Sequence, residues 1–139
     1  MPSITRADLI FVAGLLHFGI LFASALVPQV LDWRRELSKL QPLTRHLVWV
    51  HGLFIVLTIV GFGVTATFNA DALASSSTLA RSVCAFIAVF WLARLGIQFF
   101  LFDARPYLTS AFLKLGYHGL TVVFSILVLV FTWSALAPA

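Results

Sequence analysis

Charged residues are scarce in this chain of 139 residues, and acidic ones are the scarcest. Only 10% of the residues are charged, and of the five Asp and Glu residues none lies well inside an apolar run. The sequence therefore excludes a pair of carboxylates at a common site and gives poor support to cation or proton transport through a carboxylate relay. Cys84 is the single cysteine, so no disulfide framework or paired-thiol redox chemistry can be argued within one chain.

Motifs of common enzyme classes are also missing. The sequence has no Gly-rich phosphate loop, no His-Glu-x-x-His metal helix and no Gly-x-Ser-x-Gly nucleophile turn. An enzymatic role would therefore require a bound cofactor, and the sequence favours a protein that is not an enzyme. The net charge of +4 is not gathered into one basic stripe, so a nucleic-acid partner is not expected.

Apolar residues dominate what is present. Hydrophobic residues make up 61% of the chain, and the mean hydropathy is +1.04. Backbone groups in lipid must be satisfied within the segment, and no period-two alternation indicates barrel strands, so the apolar runs predict helices. Each run exceeds the roughly 18 to 20 residues that span a bilayer. We predict an all-α membrane protein, a single domain over 1–139 folded as an up-down bundle of four transmembrane helices at about 9–31, 47–70, 82–102 and 115–136.

Basic residues in the short loops predict the orientation of this bundle. Six lie in the first and third loops, whereas Arg6 and Arg81 lie on the opposite side. By the positive-inside rule, the first and third loops face the cytoplasm and both termini lie outside it. The apolar run continues past the small residues at 23–25, so we expect an uncleaved first helix and not a secretory signal. The six residues are Arg34, Arg35, Lys39, Arg45, Arg105 and Lys114.

Both cytoplasmic loops show the spacing of short amphipathic helices that lie on the membrane surface. In the first loop, Trp33, Leu37 and Leu40 fall on one side of a helix. We expect Asp32 to cap this helix and Pro42 to end it. The third loop has similar spacing in Tyr107 and Leu108, Ala111 and Phe112, and Leu115. The outer loop, residues 69–81, is small and serine-rich, which predicts an exposed turn.

The tripeptide His-Gly-Leu occurs twice, beginning at His51 and at His118. Each copy follows a loop that opens with Asp-x-Arg, and each is followed by a hydroxyl side chain seven residues after the His, Thr58 or Ser125. The match predicts two pseudo-repeated helical hairpins related by an axis along the membrane normal. The alternative is a chance recurrence within apolar sequence.

His51 and His118 are candidate axial ligands of a b-type haem. Both are predicted one turn inside the cytoplasmic ends of the second and fourth helices, which lie diagonally in an up-down bundle. Two imidazoles at matched depth suit bis-histidine ligation, and Gly52 and Gly119 would let a macrocycle approach the backbone. The alternative is that each His lies in the headgroup region and hydrogen-bonds a lipid phosphate or a loop carbonyl.

Arg94 is the residue most costly to place in a membrane, at about 2.5 to 3.5 kcal/mol on insertion scales. Gln98 follows at i+4, so the two polar groups share one face with the edge of Trp91 and Phe90. With no acidic residue in the spans, Arg94 needs a carbonyl, a neutral His, water, an acid of another chain, or an anionic group such as a haem propionate or lipid phosphate. The alternative is snorkelling to the interface.

Small residues predict where helices pack closely. Ala13 and Gly14 lie one turn before His17. We therefore expect this His to lie on a closely packed face and to hydrogen-bond another helix. The Gly61-Phe62-Gly63 step and the Gly19 and Ala23 pair predict further close contacts.

The stretch "LVPQVLDWRRELSKLQPLTRHLVWVHGLFIVLTIVGFG", about a quarter of the chain, resembles a group of uncharacterised small bacterial four-helix integral membrane proteins. The similar elements are the Pro and Asp-Trp at the exit of the first helix, a Pro-x-x-Arg step and a long "FIVLT" helix. This resemblance implies the bacterial inner membrane and a count of four helices, and it implies no mechanism.

Three functional hypotheses follow. The leading one is an accessory or scaffolding subunit of a larger membrane complex, acting by association with other membrane subunits or with copies of itself. The second is a bis-histidine b-type haem protein exchanging electrons with quinone, with Arg94 near a propionate. The third is a lipid or isoprenoid-binding bundle in which Arg94 and Gln98 contact a head group.

Overall fold

A computed structural model describes residues 2–103 and 105–138, and all regular structure in these ranges is helical. Four stretches are long and apolar enough to cross a membrane: Arg6–Val30, Pro42–Phe68, Thr78–Phe100 and Ala111–Leu136. This confirms an all-α protein with four candidate membrane helices. The helices are α1 (Arg6–Ser24), α2 (Val27–Val30), α3 (Trp33–Ser38), α4 (Pro42–Phe68), α5 (Ala70–Leu73), α6 (Thr78–Phe100) and α7 (Ala111–Leu136), with a 3-10 turn at Arg105–Tyr107.

The long helices begin three to five residues before their predicted starts, at positions 6, 42, 78 and 111 instead of 9, 47, 82 and 115. The reason is that caps, and not apolar residues, set these ends. Thr5 and Asp8 form a capping box at α1, while Ser77 and Ser110 accept hydrogen bonds from backbone N–H groups in the first turns of α6 and α7. Pro42 occupies the first turn of α4, where its missing N–H costs nothing.

The first loop differs from its prediction in detail. α3 forms where the amphipathic spacing placed it, but it ends at Ser38, and Pro42 starts α4 instead of ending α3. Asp32 precedes α3 in the left-handed conformation, with φ of 50°, and its side chain makes no capping hydrogen bond. The prediction of a side-chain cap at Asp32 is therefore wrong.

The prediction of a second surface helix is also wrong. Among the described residues of the third loop, the 3-10 turn is the only helical element. Ala111, Phe112 and Leu115 belong to α7 itself, because Ser110 caps a helix there. Ala104, inside the second Asp-x-Arg motif, lies outside the described residues. The second loop, at residues 69–81, likewise is more than the predicted turn, since it contains α5, whose Leu73 is buried.

The hydrophobic core lies at one end of the molecule. α1 packs mainly on α4 and α6 mainly on α7, while α1 also contacts α7 and α5. Arg6 at the start of α1 donates to Ser76 Oγ at 2.7 Å and to the carbonyl of Pro138 at 3.1 Å. Arg81 in α6 donates to the carbonyl of Ala135 in α7 at 2.8 Å. These bonds join the start of α1, the loop before α6 and the end of α7.

The packing loosens toward the opposite end. In α4 the buried residues are Ile59, Gly63 and Ala66, so none of residues 42–58 is buried. In α7 the first buried residue is Phe124, so none of residues 111–123 is buried. α6 differs, because its buried positions continue to Gln98. The parts of α4 and α7 that contain the two His-Gly-Leu copies are therefore less deeply buried than the neighbouring part of α6.

Candidate functional site

The polar centre of the packed half is a hydrogen bond between α1 and α6. Trp91 Nε1 donates to His17 Nε2 at 2.9 Å, and His17 Nδ1 lies 2.8 Å from the carbonyl oxygen of Ala13. Because the indole can only donate and the carbonyl can only accept, the imidazole is neutral with its proton on Nδ1. Both side chains are fully buried. The prediction that His17 hydrogen-bonds another helix is confirmed.

Aromatic rings enclose this pair. The His17 ring has edge contacts with Phe62 of α4 and Phe131 of α7, each with ring centroids 6.0 Å apart. Trp91 stacks on Phe124 with centroids 5.0 Å apart. All four long helices therefore contribute a ring to one cluster. Both nitrogens of His17 are already engaged and the ring is enclosed, so His17 has a structural role and does not face a ligand.

Arg94 lies one turn beyond Trp91 and is partly buried between two phenylalanine rings. Its Cζ lies 5.3 Å from the ring centroid of Phe124 and 5.6 Å from that of Phe102. Among the described residues, the buried Nη1 has no hydrogen-bond partner. Cation–π contacts offset part of the cost of burying a guanidinium, but they leave its N–H groups unsatisfied. Part of the Arg94 guanidinium is thus left without a hydrogen-bond acceptor among the described residues.

Gln98 lies on the same side of α6 as Arg94 and is 4% exposed. Its amide nitrogen donates to Thr121 Oγ1 of α7, and this hydroxyl donates to the carbonyl of Tyr117 at 3.0 Å. The chain of bonds joins α6 to α7 where the packing begins to loosen. The shared face that the sequence predicts for Arg94 and Gln98 is confirmed as a buried polar stretch of α6.

An open cavity of about 500 Å³ adjoins Gln98. It lies between the end of α6, the third loop and the first turns of α7, and we name it the α6–α7 cavity. Its rim holds the ion pair of Arg105 and Asp103, with Nε and Oδ1 2.9 Å apart. The Arg105 guanidinium, through its side-chain hydrogen bond, lowers the pKa of the Asp103 carboxyl below its usual value. Other lining residues are Gln98, Phe102, Leu108, Tyr117 and His118.

A second, apolar cavity of about 370 Å³ lies beside the loosely packed half of α4, and we name it the α4 cavity. Trp33 of α3 and Val48, His51, Gly52 and Ile55 of α4 are among its lining residues. His51 is exposed, and its Nδ1 lies 2.8 Å from the carbonyl of Leu47 in its own helix.

The two candidate haem ligands line different cavities. His51 lines the α4 cavity and His118 lines the α6–α7 cavity, where its ring contacts Tyr117 edge-on. Both imidazoles are exposed. Ligation of one haem by both would require the two cavities to merge. The bis-histidine haem site stays a prediction, and this arrangement gives it no support.

The glycines predicted at helix contacts fall into two groups. A Cβ on Gly14 would lie 2.5 Å from Thr67 Oγ1, and a Cβ on Gly63 would lie 3.1 Å from His17 Cβ, so both mark close approaches of α1 and α4. A Cβ on Gly19 or Gly61 would meet nothing within 4 Å, and the predicted contacts there are wrong. Open space also surrounds Gly52 and Gly119.

Several functional residues were missed by sequence reasoning. Thr121 is the partner of Gln98, Phe102 covers Arg94, and Trp91 is the donor to His17. Of these three residues, only Trp91 has a signal in the sequence. Helical spacing puts it on the same face as Arg94, but this spacing does not indicate its hydrogen-bond partner. Pairings between helices depend on bundle order, which one sequence does not reveal.

No protein family, no curated protein and no solved structure matches this chain. Among residues 2–103 and 105–138, no group of three or more His, Cys, Asp or Glu residues could hold a metal ion.

Proposed function

We propose that this is a small integral protein of the bacterial inner membrane that acts by association, as an accessory or scaffolding subunit of a larger membrane complex. The proposal includes an up-down order of the four helices, both termini outside the cytoplasm and two pseudo-repeated hairpins. The basic first and third loops support this orientation. The bonds of Arg6 and Arg81 support an up-down order, since they join helix ends that such an order brings together.

One observation carries the proposal: the first 17 residues of α4, positions 42–58, include no buried residue. At about 1.5 Å per residue, this is roughly 25 Å of a membrane helix whose residues are all exposed or partly buried, with Trp33 of α3 packed edge-on against Trp49. Helices within a membrane associate through close van der Waals contact between their faces. A helix that packs over only part of its length offers the remainder to another helix.

The unpacked part of α4 continues the face that packs on α1. Gly52 precedes Ile59 by seven residues and Gly63 by eleven, so at 100° per residue all three point within about 20° of one direction. Ile59 and Gly63 are buried, and Gly63 allows close approach of α1. Gly52 is the same type of residue on the same face, yet no atom of a neighbouring element occupies the space beside it. Small residues at such positions are where membrane helices approach one another.

The expected occupant is a transmembrane helix of another subunit, seated along the α4 cavity and crossing at Gly52. The cavity wall that α4 provides is largely apolar, as such a contact requires, and Thr44 and His51 offer polar groups toward the cytoplasmic end. Association with a second copy of this chain is the homo-oligomeric form of the same contact.

Two matched substitutions test this contact. Gly52→Leu fills the open side of α4. Gly61→Leu adds the same side chain about two and a half turns further along the helix, on the opposite face, about 180° from Gly52. Both sites have open space around them, so neither substitution should disturb the fold itself. Each variant is expressed in its native host and purified in mild detergent, and the co-purifying chains are quantified.

We expect a stoichiometric partner with the wild type and with Gly61→Leu, and its loss with Gly52→Leu. Cross-links should form from Ile55→Cys, which lines the α4 cavity, and be weak from Leu57→Cys on the other side of the helix, both in a Cys84→Ala background. A cross-link to a different chain identifies a heteromeric complex, and a cross-linked dimer of this chain identifies self-association. A monomer that gives neither cross-link contradicts the proposal.

A further inference from the structure

The α6–α7 cavity lies near Arg94, whose buried Nη1 has no hydrogen-bond partner in the part of the chain that the structure describes. Cavities of about 300 to 1,000 Å³ are the size that small-molecule sites occupy, and this one measures about 500 Å³. Its wall combines apolar side chains with the polar groups of Gln98, Tyr117 and His118. That mixture suits a molecule with both a polar head and an apolar tail.

The direction of the Arg94 side chain connects it to this cavity. Helical side chains generally lean toward the N-terminal end of their helix. Arg94 nevertheless places its Cζ 5.6 Å from the ring of Phe102, which follows the C-terminal end of α6 and lines the cavity. The Phe102 ring thus contacts the guanidinium and also lines the cavity, although Arg94 itself is not among the lining residues.

No carboxylate of the described chain balances this charge. Among the five acidic residues of the sequence, Asp103 pairs with Arg105 and Glu36 with Lys39, each pair on the surface. Asp8 forms the capping box of α1 and Asp71 lies in α5, both at the packed end. Asp32 precedes α3, and no salt bridge joins it to Arg94 among the described residues. Arg94 is partly buried with an unsatisfied Nη1, and an anionic acceptor would form a stronger, charge-assisted hydrogen bond there than a neutral one.

We propose that the α6–α7 cavity binds the phosphate-bearing head of an anionic amphiphile, with Arg94 as its counter-charge and Gln98 at its inner wall. The head group enters at the end of α6, where a membrane helix meets the lipid phosphates. Its tail lies on the exposed apolar surface of Phe99, Phe100 and Leu101. The site is independent of the association proposed through α4, because the two use different helices and different cavities.

Binding is measured on the purified full-length protein by native mass spectrometry, with phosphatidylglycerol, phosphatidylcholine and inorganic phosphate as separate probes. We expect phosphatidylglycerol to bind preferentially. Arg94→Leu should weaken it about ten- to hundredfold, the range for loss of a charge-assisted hydrogen bond. Arg34→Leu, an exposed cation outside this cavity, serves as the matched control and should keep the preference.

Competition by inorganic phosphate distinguishes a phospholipid head group from a soluble phosphate compound as the ligand. Competition by free phosphate at millimolar concentration would assign the site to a soluble phosphate compound, whereas binding of phosphatidylglycerol without such competition assigns it to a lipid. Equal binding of phosphatidylglycerol and phosphatidylcholine would overturn the proposal. An unchanged phosphatidylglycerol preference in Arg94→Leu would also overturn it, as expected if a carboxylate of another subunit neutralises Arg94.

A second pair of variants tests the cavity in a way that does not depend on the correct folding of Arg94→Leu. Leu108→Trp fills the cavity without a change of charge, and Phe112→Trp introduces the same residue at an exposed site of α7 outside the cavity. Leu108→Trp should lose the bound lipid and Phe112→Trp should retain it. Retention by both variants would place the lipid elsewhere, against the proposal.

Discussion

The Nε1 proton of Trp91 meets the unprotonated Nε2 of His17 at 2.9 Å, so one hydrogen bond joins α6 to α1 at the centre of the packed half. The other nitrogen of His17 is held by the Ala13 carbonyl. Neither polar group has access to water, because both side chains are buried. The bond therefore satisfies two groups whose burial alone would be unfavourable.

A double-mutant cycle should detect this bond. We expect His17→Phe and Trp91→Phe each to lower the free energy of unfolding by about 1 to 3 kcal/mol, because each leaves the other side chain buried and unpaired. The double variant should cost less than the sum, with a coupling of about 0.5 to 1.5 kcal/mol. The measurement is unfolding in mixed detergent micelles, followed by circular dichroism.

The exposed His51 provides the control for that cycle. His51→Phe should change the free energy of unfolding by less than about 0.5 kcal/mol, as for an exposed site. Strict additivity of the His17 and Trp91 substitutions would show that the bond contributes nothing.

A second prediction concerns the closest approach of α1 to α4. Gly14→Ala places a Cβ 2.7 Å from the backbone nitrogen of Thr67, so the two helices must separate. We expect a loss of about 1 to 3 kcal/mol, the usual cost of overpacking. Gly19→Ala adds the same methyl group to the same helix in open space, and it should be neutral or stabilising by up to about 1 kcal/mol. Equal stability of the two variants would contradict the packing of α1 on α4.

Hydropathy and length were sufficient to find the four long helices, because an apolar run of this length has few alternatives. The ends of these helices were less predictable, since Thr5, Ser77 and Ser110 are polar and lie outside the apolar runs. The missed role of Pro42 has a related cause, because a proline can follow one helix and begin the next.

The candidate site was predictable only where a local pattern defines it. Arg94 and Gln98 share a face because they are four residues apart within one helix, and this needs no knowledge of other helices. His51 and His118 line different cavities, and the cavity that each one lines depends on how α4 and α7 pack against other elements. Gly19 and Gly61 show the same limit, since a small residue permits a close contact without creating one.

A third prediction tests the orientation that the loop charges favour. Ser38 in the first loop and Ser75 in the outer loop are both exposed, so Ser38→Cys and Ser75→Cys form a matched pair. In a Cys84→Ala background, a membrane-impermeant maleimide added to intact spheroplasts should label Ser75→Cys and leave Ser38→Cys unlabelled until the membrane is permeabilised. The reverse pattern would place both termini in the cytoplasm. Labelling of both sites in intact spheroplasts would contradict the up-down order.

A fourth prediction uses the ion pair at the rim of the α6–α7 cavity. Asp103 neutralises Arg105 through two hydrogen bonds, of 2.9 and 3.3 Å. Its pKa is lowered by the Arg105 side chain, so the stabilisation from the pair is present above the ordinary carboxyl pKa and is lost as the pH falls through the lowered value. Between pH 5 and pH 8, roughly the range well above an ordinary Asp pKa, the pair stays intact.

Removing the carboxylate should therefore expose a cation at the cavity at every pH in that range. We expect Asp103→Asn to tighten phosphatidylglycerol binding by up to about fivefold, the scale of an exposed charge interaction, and the effect should shrink in high salt. Asp71→Asn makes the same charge change in α5, at the opposite end of the molecule, and should leave binding unchanged. Because Arg105 is largely exposed, its contribution adds to that of Arg94 without replacing it. If both Asn variants tighten binding equally, the lipid responds to net charge alone, and the cavity has no specific part in its recognition.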